Sequence, residues 1–237
     1  MKSISTLLIA AAAVVLVSRA QAVVLASYEF TGSDAASRAA VTASAGDLTA
    51  SSFSFNAAMT TNTGFSSGGN IFARVNGTSE SNLSGAISDS QYVTVTITPD
   101  TGFELNLTSL TVDLGYTLNG VSVPDGIGKT LGASVFSSVD GFTVPDVLGS
   151  KSFTAADQGA TGYYYENLDI DLSGAAYQGL AGPIEFRIYL YDNENTLTQP
   201  IHRIDNFTLN GAVVPEPSIA LLAGLGFLGL LRRRRHV

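Results

Sequence analysis

The sequence predicts an all-β protein, and more specifically a two-sheet antiparallel β-sandwich between two short terminal segments. Its middle contains no amphipathic pattern of helical period, but about ten short runs alternate apolar with polar residues. Gly, Asn, Asp and Ser, which favour turns, separate these runs. Short alternating strands with regular turn signals are typical of a sandwich.

Residues 1–22 have the composition of a secretory signal peptide. Lys2 supplies a positive charge, residues 7–17 form an apolar run, and a small-x-small tripeptide ends at Ala22. The apolar run is too short to span a membrane as a helix. We therefore expect export of the chain and cleavage after Ala22.

Residues 214–237 combine a proline break, an apolar run and a basic end. The prolines lack amide donors and fix φ, so they favour extended chain. The apolar residues 219–231 would extend about 20 Å as a helix, which is short for a hydrocarbon core of about 30 Å. Arginines directly after this run would hold that end in the cytoplasm. The pattern is carried by Pro215, Glu216, Pro217, Arg232, Arg233, Arg234 and Arg235.

This combination resembles the PEP-CTERM protein-sorting signal, which Gram-negative bacteria use with a membrane protease of the exosortase type. The resemblance implies transient insertion into the inner membrane through an apolar helix at about 218–234. Processing by the protease and transfer to the cell surface or the extracellular space would follow. An ordinary single-pass anchor is the alternative interpretation.

The body between these segments, residues 23–213, is large enough for one domain with its own core. Six of the 12 basic residues and one of the 20 acidic residues lie in the end segments, which leaves 6 basic against 19 acidic side chains and a net charge of −13. Such a surface repels phosphate backbones and argues against nucleic-acid binding. Cysteine is absent, so disulfides and thiolate sites are excluded. The body contains one histidine, His202, on which any zinc site or serine–histidine triad would depend.

Three runs show the strand pattern most clearly. Residues 91–98 and 183–191 alternate apolar and polar positions throughout, as half-buried strands do. In residues 105–114 the apolar positions change phase, which predicts a bulge or small turn at Thr108-Ser109.

Two strand pairings are also expected. Asp140-Gly141 predicts a hairpin between residues 133–137 and 142–144. The first strand of the body, at about 25–31, is expected beside the last one, at about 204–210, as an antiparallel pair, because the termini of domains usually lie close together.

Several short motifs resemble the secreted jelly-roll passenger domains that often precede this sorting signal. The resemblance implies a jelly-roll-like sandwich, usually without an assigned activity, and it supplies no catalytic residue. The motifs are Tyr28-Glu29-Phe30, Ser137-Ser138-Val139-Asp140-Gly141-Phe142, Glu185-Phe186-Arg187-Ile188-Tyr189 and residues 203–211.

A carbohydrate-binding face is one functional hypothesis. Arg187, Tyr189 and Tyr191 share one face of a predicted strand, and the tyrosines at 163–165 are expected on a neighbouring strand. Sugar rings stack on aromatic faces while polar groups bind their hydroxyls. Tyrosine is also an ordinary strand former, so a purely structural role is the alternative.

Calcium is the expected ion, because it takes six to eight hard oxygen ligands. Asp192 and Glu194 lie in a compact oxygen-rich loop, and Asp205 is a second candidate. A solvated acidic turn is the alternative interpretation of that loop.

In the last strand, Asp205 shares its phase with Phe207 and Leu209 and is therefore expected to point inward. A buried carboxylate needs a partner. Arg187, Arg203 or a calcium ion would supply it.

Catalysis would have to depend on paired carboxylates, as in a glycoside hydrolase. The candidates Glu29, Glu104, Glu166 and Glu185 match no motif of the jelly-roll glycanases. We therefore expect a non-enzymatic surface or extracellular-matrix protein of a polysaccharide-rich coat, without a cofactor other than calcium. A carbohydrate-binding module is the first alternative, and a glycoside hydrolase is the less favoured one.

Overall fold

The computed structural model describes residues 22–59, 63–73, 82–117, 130–154, 163–192 and 201–216. Within these ranges the chain forms two antiparallel sheets that pack face to face, so the predicted β-sandwich is confirmed. The predicted signal peptide and apolar helix lie outside the described residues.

Thirteen strands are found in the described part of the chain. They are β1 (Val23–Tyr28), β2 (Ala43–Ser44), β3 (Leu48–Ala50), β4 (Ser54–Phe55), β5 (Thr63–Ser66), β6 (Asn70–Ala73), β7 (Tyr92–Pro99), β8 (Phe103–Thr117), β9 (Thr130–Ser137), β10 (Gly149–Thr154), β11 (Tyr163–Asp171), β12 (Ile184–Asp192) and β13 (Ile201–Pro215). The helices are α1 (Ala35–Ala39), α2 (Leu83–Ser88) and the 3₁₀ turns Ala57–Met59, Val144–Asp146 and Ala175–Tyr177.

From β7 to β13 the chain alternates between the two sheets, except that β10 follows β9 in the same sheet. One sheet has the order β11-β8-β13-β1-β2, with β5 and β6 added beside β13. The other has the order β10-β9-β12-β7-β3, with β4 also paired to β7. The facing sets are β11-β8-β13-β1 and β10-β9-β12-β7, an order consistent with the jelly-roll-like sandwich that the sequence motifs implied.

The core lies between the sheets and follows the alternation seen in the sequence. Val93, Val95 and Ile97 of β7 are buried, and the threonines between them are half-buried. Phe186 and Ile188 of β12 are buried beside them. Each such side chain contributes roughly 1.5–3 kcal/mol when removed from water.

A cluster of aromatic rings packs where the first strand pairs with the last. Tyr28 of β1 is in register with Phe207 of β13, so the predicted pairing of these strands is confirmed. The ring centroids of Tyr28 and Phe53 lie 4.9 Å apart, and those of Phe53 and Phe207 lie 5.2 Å apart, both edge to face. All three rings are buried, and the edge-to-face geometry suits their quadrupoles.

The predicted phase change in β8 is a β-bulge. Ser109 is in register with Asn210, but Leu107 is in register with Gly211, so Thr108 is the extra residue on β8. As a result Leu107 and Leu110, which have opposite phases in the sequence, are both fully buried.

The predicted hairpin at Asp140-Gly141 is wrong in its second strand. β9 does pair with the segment that follows, but the partner is β10 at Gly149–Thr154. Residues 142–144 are not in a strand, and a 3₁₀ turn at Val144–Asp146 stands between. Gly141 has a φ of +99°, which glycine adopts readily, and it makes a single bridge to Ser137.

A second bulge, in β13, was not predicted. Asp205 is in register with Asp113 and Thr208 with Thr111, so three steps on β13 oppose two on β8. Asn206 has a φ of +48°, in the left-handed region that asparagine tolerates. The bulge shifts the phase, so Ile204 and Phe207 both enter the core and Asp205 does not.

Candidate functional site

The predicted glycan face on β12 is covered by the protein itself. Tyr189 is only 2% exposed, because it packs with Tyr92, Phe136 and α2 on the outside of the six-stranded sheet. Its ring therefore offers no free face to a sugar. Tyr191 is half-buried at the border of the same cluster.

Arg187 on this face has internal partners. Its Nε donates to Oε1 of Glu185 at 2.7 Å, and its guanidinium lies 3.7 Å from the ring centroid of Phe142 and 4.4 Å from that of Tyr92. With a carboxylate and two aromatic rings as partners, the Arg187 guanidinium stabilises the layer of side chains that covers this sheet. The tyrosines at 163–165 belong to the other sheet, in β11, and are not its neighbours.

The outer face of the seven-stranded sheet carries a different aromatic group, which we call the tyrosine–arginine stack: Tyr163, Tyr165, Arg203 and Phe72. The rings of Tyr163 and Tyr165 are stacked, with centroids 6.4 Å apart. The Arg203 guanidinium lies 4.8 Å from the Tyr163 centroid and 5.7 Å from that of Phe72. Arg203 is 4% exposed, whereas Tyr163 is 51% exposed.

Strand register explains how residues so far apart in sequence meet. Tyr165 of β11, Gly115 of β8 and Arg203 of β13 lie side by side. Gly115 presents no side chain, so the Tyr163 ring on β11 can reach across β8 to Arg203. A Cβ at Gly115 would lie 1.8 Å from the carbonyl oxygen of Tyr164, which excludes a larger residue there. On its far side Arg203 donates from Nη1 to Oδ1 of Asn70 at 2.8 Å.

A carboxylate pair lies next to the stack, on the same outer face. Asp113 of β8 and Asp205 of β13 are in register. The side-chain amides of Asn167 and Asn206 each donate to one oxygen of Asp113 at 2.8 Å. The backbone N–H of Asn206 donates to Oδ1 of Asp205 at 2.8 Å.

The pKa of Asp205 is raised from its ordinary value of 3.8 to about 6. Partial burial is the largest cause; the bond from Asn206 acts in the opposite direction, and the negative charges of Asp113 and Glu29 raise the pKa further. The prediction that the Asp205 side chain points into the core is wrong, because the bulge at Asn206 turns this side chain outward. Arg187 lies on the other sheet, so it is not the partner either.

The other metal candidates are placed as follows. Asp192 is 8% exposed at the end of β12, and Glu194 lies outside the described residues. In the part of the chain that the structure describes, no three His, Asp or Glu side chains are grouped closely enough to hold a metal ion. Calcium binding stays a prediction.

The candidate catalytic glutamates are dispersed. Tyr164 and Lys151 donate hydrogen bonds to Glu166, and these bonds hold its pKa below the ordinary value. Partial burial acts to raise the pKa of Glu185, but bonds from Arg187 and Thr94 outweigh it and keep the pKa low. A general acid needs the opposite shift. Glu29 is exposed after β1, and Glu104 is half-buried in β8.

His202 is 1% exposed, in register with Tyr116 and Ala73. Burial lowers its pKa from 6.5 to about 3, and a bond to the Tyr191 backbone only partly opposes this. The histidine is therefore neutral inside the sandwich and does not lie at the outer faces.

Sequence reasoning missed Asp113, Asn167, Gly115 and Phe72. The alternation of Tyr163, Tyr165 and Asn167 along one strand was visible, but their partners come from three other strands distant in sequence. An aromatic–amide alternation on an edge strand was the one local signal.

The sorting segment begins inside the fold. Pro215 is the last residue of β13, in register with Phe103, and the Glu216 N–H donates to the Gly102 carbonyl at 2.9 Å. Pro217 and the arginines at 232–235 lie outside the described residues. Among the described residues no helix is both long and apolar enough to cross a bilayer.

Comparison with solved structures finds remote likeness to two adhesin domains of the Lys-gingipain from Porphyromonas gingivalis. The K3 domain is 12% identical with a TM-score of 0.28, and the match covers 50% of this chain and 62% of that one. The K1 domain is 9% identical with a TM-score of 0.30, and the match covers 70% and 90%. Scores this low carry no argument about fold or function.

Comparison with protein families gives one specific result. No curated protein matches the chain in sequence. A family model of the PEP-CTERM protein-sorting motif matches residues 213–235, the segment whose proline break, apolar run and arginines suggested it. The chain is therefore a secretory β-sandwich that carries a PEP-CTERM sorting motif at residues 213–235.

Proposed function

We propose that this protein is a non-enzymatic component of the cell surface or extracellular matrix of a Gram-negative bacterium. An exosortase-type protease would process it after transient insertion of the C-terminal segment into the inner membrane. The observation that carries the proposal is the PEP-CTERM motif, which begins within the last three residues of the last strand of a β-sandwich. A compact body with a removable membrane signal is suited to delivery outside the cell.

The strand arrangement supports this proposal. Because β1 and β13 are antiparallel, the start of β1 and the end of β13 lie at the same end of the sandwich, with Val23 opposite Gly211. The segments proposed to direct export and sorting therefore leave the body at one end. Arg203 is about 40 Å from Pro215 along β13, at a rise of about 3.3 Å per residue. The tyrosine–arginine stack would then face away from the membrane while the chain is attached.

The test is the fate of the full chain in a strain that contains an exosortase. We expect the protein in the surface or medium fraction, without residues 232–235. A variant in which Pro215, Glu216 and Pro217 are replaced by alanine should stay in the membrane fraction. Intact C-terminal arginines on the surface form would refute processing, and release of reducing sugars from extracellular polysaccharide would refute a non-enzymatic role.

Polysaccharide binding is the second candidate function, and the exposed Tyr163 ring favours it. The Arg203 guanidinium lies over the ring and Tyr165 stacks with it, so the ring is held in place and a sugar could stack on its exposed part with little loss of side-chain entropy. Asp113, Asn167 and the other polar groups beside it are suited to sugar hydroxyls. The acidic body favours neutral or amino-sugar polymers over anionic ones.

Binding of the exported protein to immobilised neutral, cationic and anionic polysaccharides would test this candidate, with calcium and with chelator. Tyr163→Ala should weaken binding several-fold to about tenfold, as expected for loss of about 1 kcal/mol of ring contact. Val144→Ala is the matched control, because Val144 is 48% exposed and lies outside the tyrosine–arginine stack. Equal binding by the two variants would exclude the stack as the binding surface.

A further inference from the structure

The junction between the body and the sorting motif contains no linker. Val213, Val214 and Pro215 are in register with Leu105, Glu104 and Phe103 of β8. The hydrogen bond from the Glu216 N–H to Gly102 extends this pairing by one residue. The motif match begins at residue 213, so the strand and the motif overlap.

The proline at the start of the motif fits this pairing. Successive N–H groups along a strand point to opposite sides. Because the Glu216 N–H points toward β8, the nitrogen of Pro215 points away from it. On that side no described residue of β1 lies opposite Pro215, since the described pairing with β13 begins at Val23 and Gly211. Among the described residues Pro215 therefore removes no ladder hydrogen bond, which is the condition under which a strand accepts proline.

Cleavage inside this strand would require its end to open. Val213 is half-buried and packs against the core, and Val214 is also half-buried. A protease cuts chain that has left the fold, so cleavage becomes slower when a smaller fraction of the molecules is open at this end. The peptide bonds from Val213 to Glu216 belong to the paired region, whereas the bonds after Glu216 follow the last hydrogen bond described.

We infer that the sorting protease cuts on the C-terminal side of Glu216, so that the released body retains Pro215 and Glu216 at its end. The inference depends on the proposed processing and adds the position of the cut. In the reaction the peptide C–N bond breaks, the carbonyl carbon takes the hydroxyl of a water molecule, and the departing nitrogen takes the proton. The product ends in a carboxylate beyond the last residue of β13.

The position of the cut is tested by expressing the full-length gene in a strain that contains an exosortase and measuring the intact mass of the released protein. We expect a C-terminal residue at 216 or later. A product that ends at 215 or earlier would overturn the inference while leaving the processing proposal standing. An uncut chain would overturn both the processing proposal and the inference.

Hydrogen exchange of the Glu216 amide, followed by NMR, gives a second measurement. Protection well above that of an unstructured peptide is expected, because the N–H is bonded to Gly102. In a variant with a Gly-Ser-Gly-Ser insertion between Val214 and Pro215, protection of this amide should be lost. Exchange of the wild-type amide at the unstructured rate would overturn the inference.

Discussion

Replacing Asp205 by Asn is expected to stabilise the protein at neutral pH. In the folded chain the carboxylate lies opposite Asp113 and near Glu29, partly removed from water. Ionising it there is therefore unfavourable. An amide has nearly the same shape, carries no charge, and its oxygen can still accept the bond from the Asn206 N–H.

The magnitude follows from the pKa of Asp205, which folding raises from 3.8 to about 6. Because the folded state binds the proton more tightly, stability falls as the pH rises from about 4 to about 6, and the loss is complete above that window. A difference of about two in pKa corresponds to about 3 kcal/mol as an upper limit. Asp205 is partly exposed, so solvent screening reduces the expected gain to about 1 kcal/mol.

The assay is urea unfolding of the wild type and Asp205→Asn at pH 7.5 and pH 4. We expect the variant to be more stable by about 1 kcal/mol at pH 7.5, or about 2–4 °C in melting temperature for a body of this size. The difference should vanish at pH 4, where the wild-type carboxyl is protonated. Asp171→Asn is the control: hydrogen bonds from Ser173 lower the pKa of Asp171, so removing its charge should not stabilise the fold.

The refuting result is a variant less stable than the wild type at pH 7.5. If that loss appears only with calcium present, a bound cation neutralises Asp205 and Asp113, which would agree with the calcium site predicted at Asp205 from the sequence. If it also appears in chelator, Asp205 has a favourable partner in the protein, and the outward orientation given by the bulge is wrong.

Three further outcomes are expected. Below pH 6.5 the buried His202, with a pKa of about 3, should lower the free energy of unfolding by about 1.4 kcal/mol per pH unit, because only the unfolded state takes up the proton. Urea unfolding of the Asp205→Asn variant between pH 4.5 and 7 measures this slope, and adding His202→Gln should remove it. Gly115→Ala should destabilise the body by about 1–3 kcal/mol or more through its backbone clash, whereas Gly182→Ala, with open space around its Cβ, should change little in the same assay. Tyr163→Ala should lower the melting temperature by less than Gly115→Ala does, since its ring is about half exposed; a larger loss would make Tyr163 a structural residue.

Much of the fold was accessible from local patterns. Alternation identified β7 and β12, and the phase change between Leu107 and Leu110 located the bulge in β8. In that strand the change was visible because both flanking segments are apolar and each must face the core. The terminal segments were also accessible, since a membrane signal is a matter of composition and length.

The bulge in β13 was not accessible in the same way. Asp205 shares the phase of Phe207, so a regular strand would place both in the core. Only pairing with β8 shows the extra residue at Asn206. Asparagine next to aspartate is common in turns, and this dipeptide was the one local hint of a phase change in β13.

The sequence by itself determined that the body is a two-sheet sandwich and that its end carries a sorting motif, because these follow from periods and compositions within short windows. Tertiary structure decided which tyrosines share a surface. In the folded chain α2 packs over Tyr189, Tyr163 lies exposed over Arg203, and Asp113 lies beside Asp205. The physical reason is that side-chain alternation is local, whereas strand order and register bring together residues as distant in sequence as Tyr28 and Phe207.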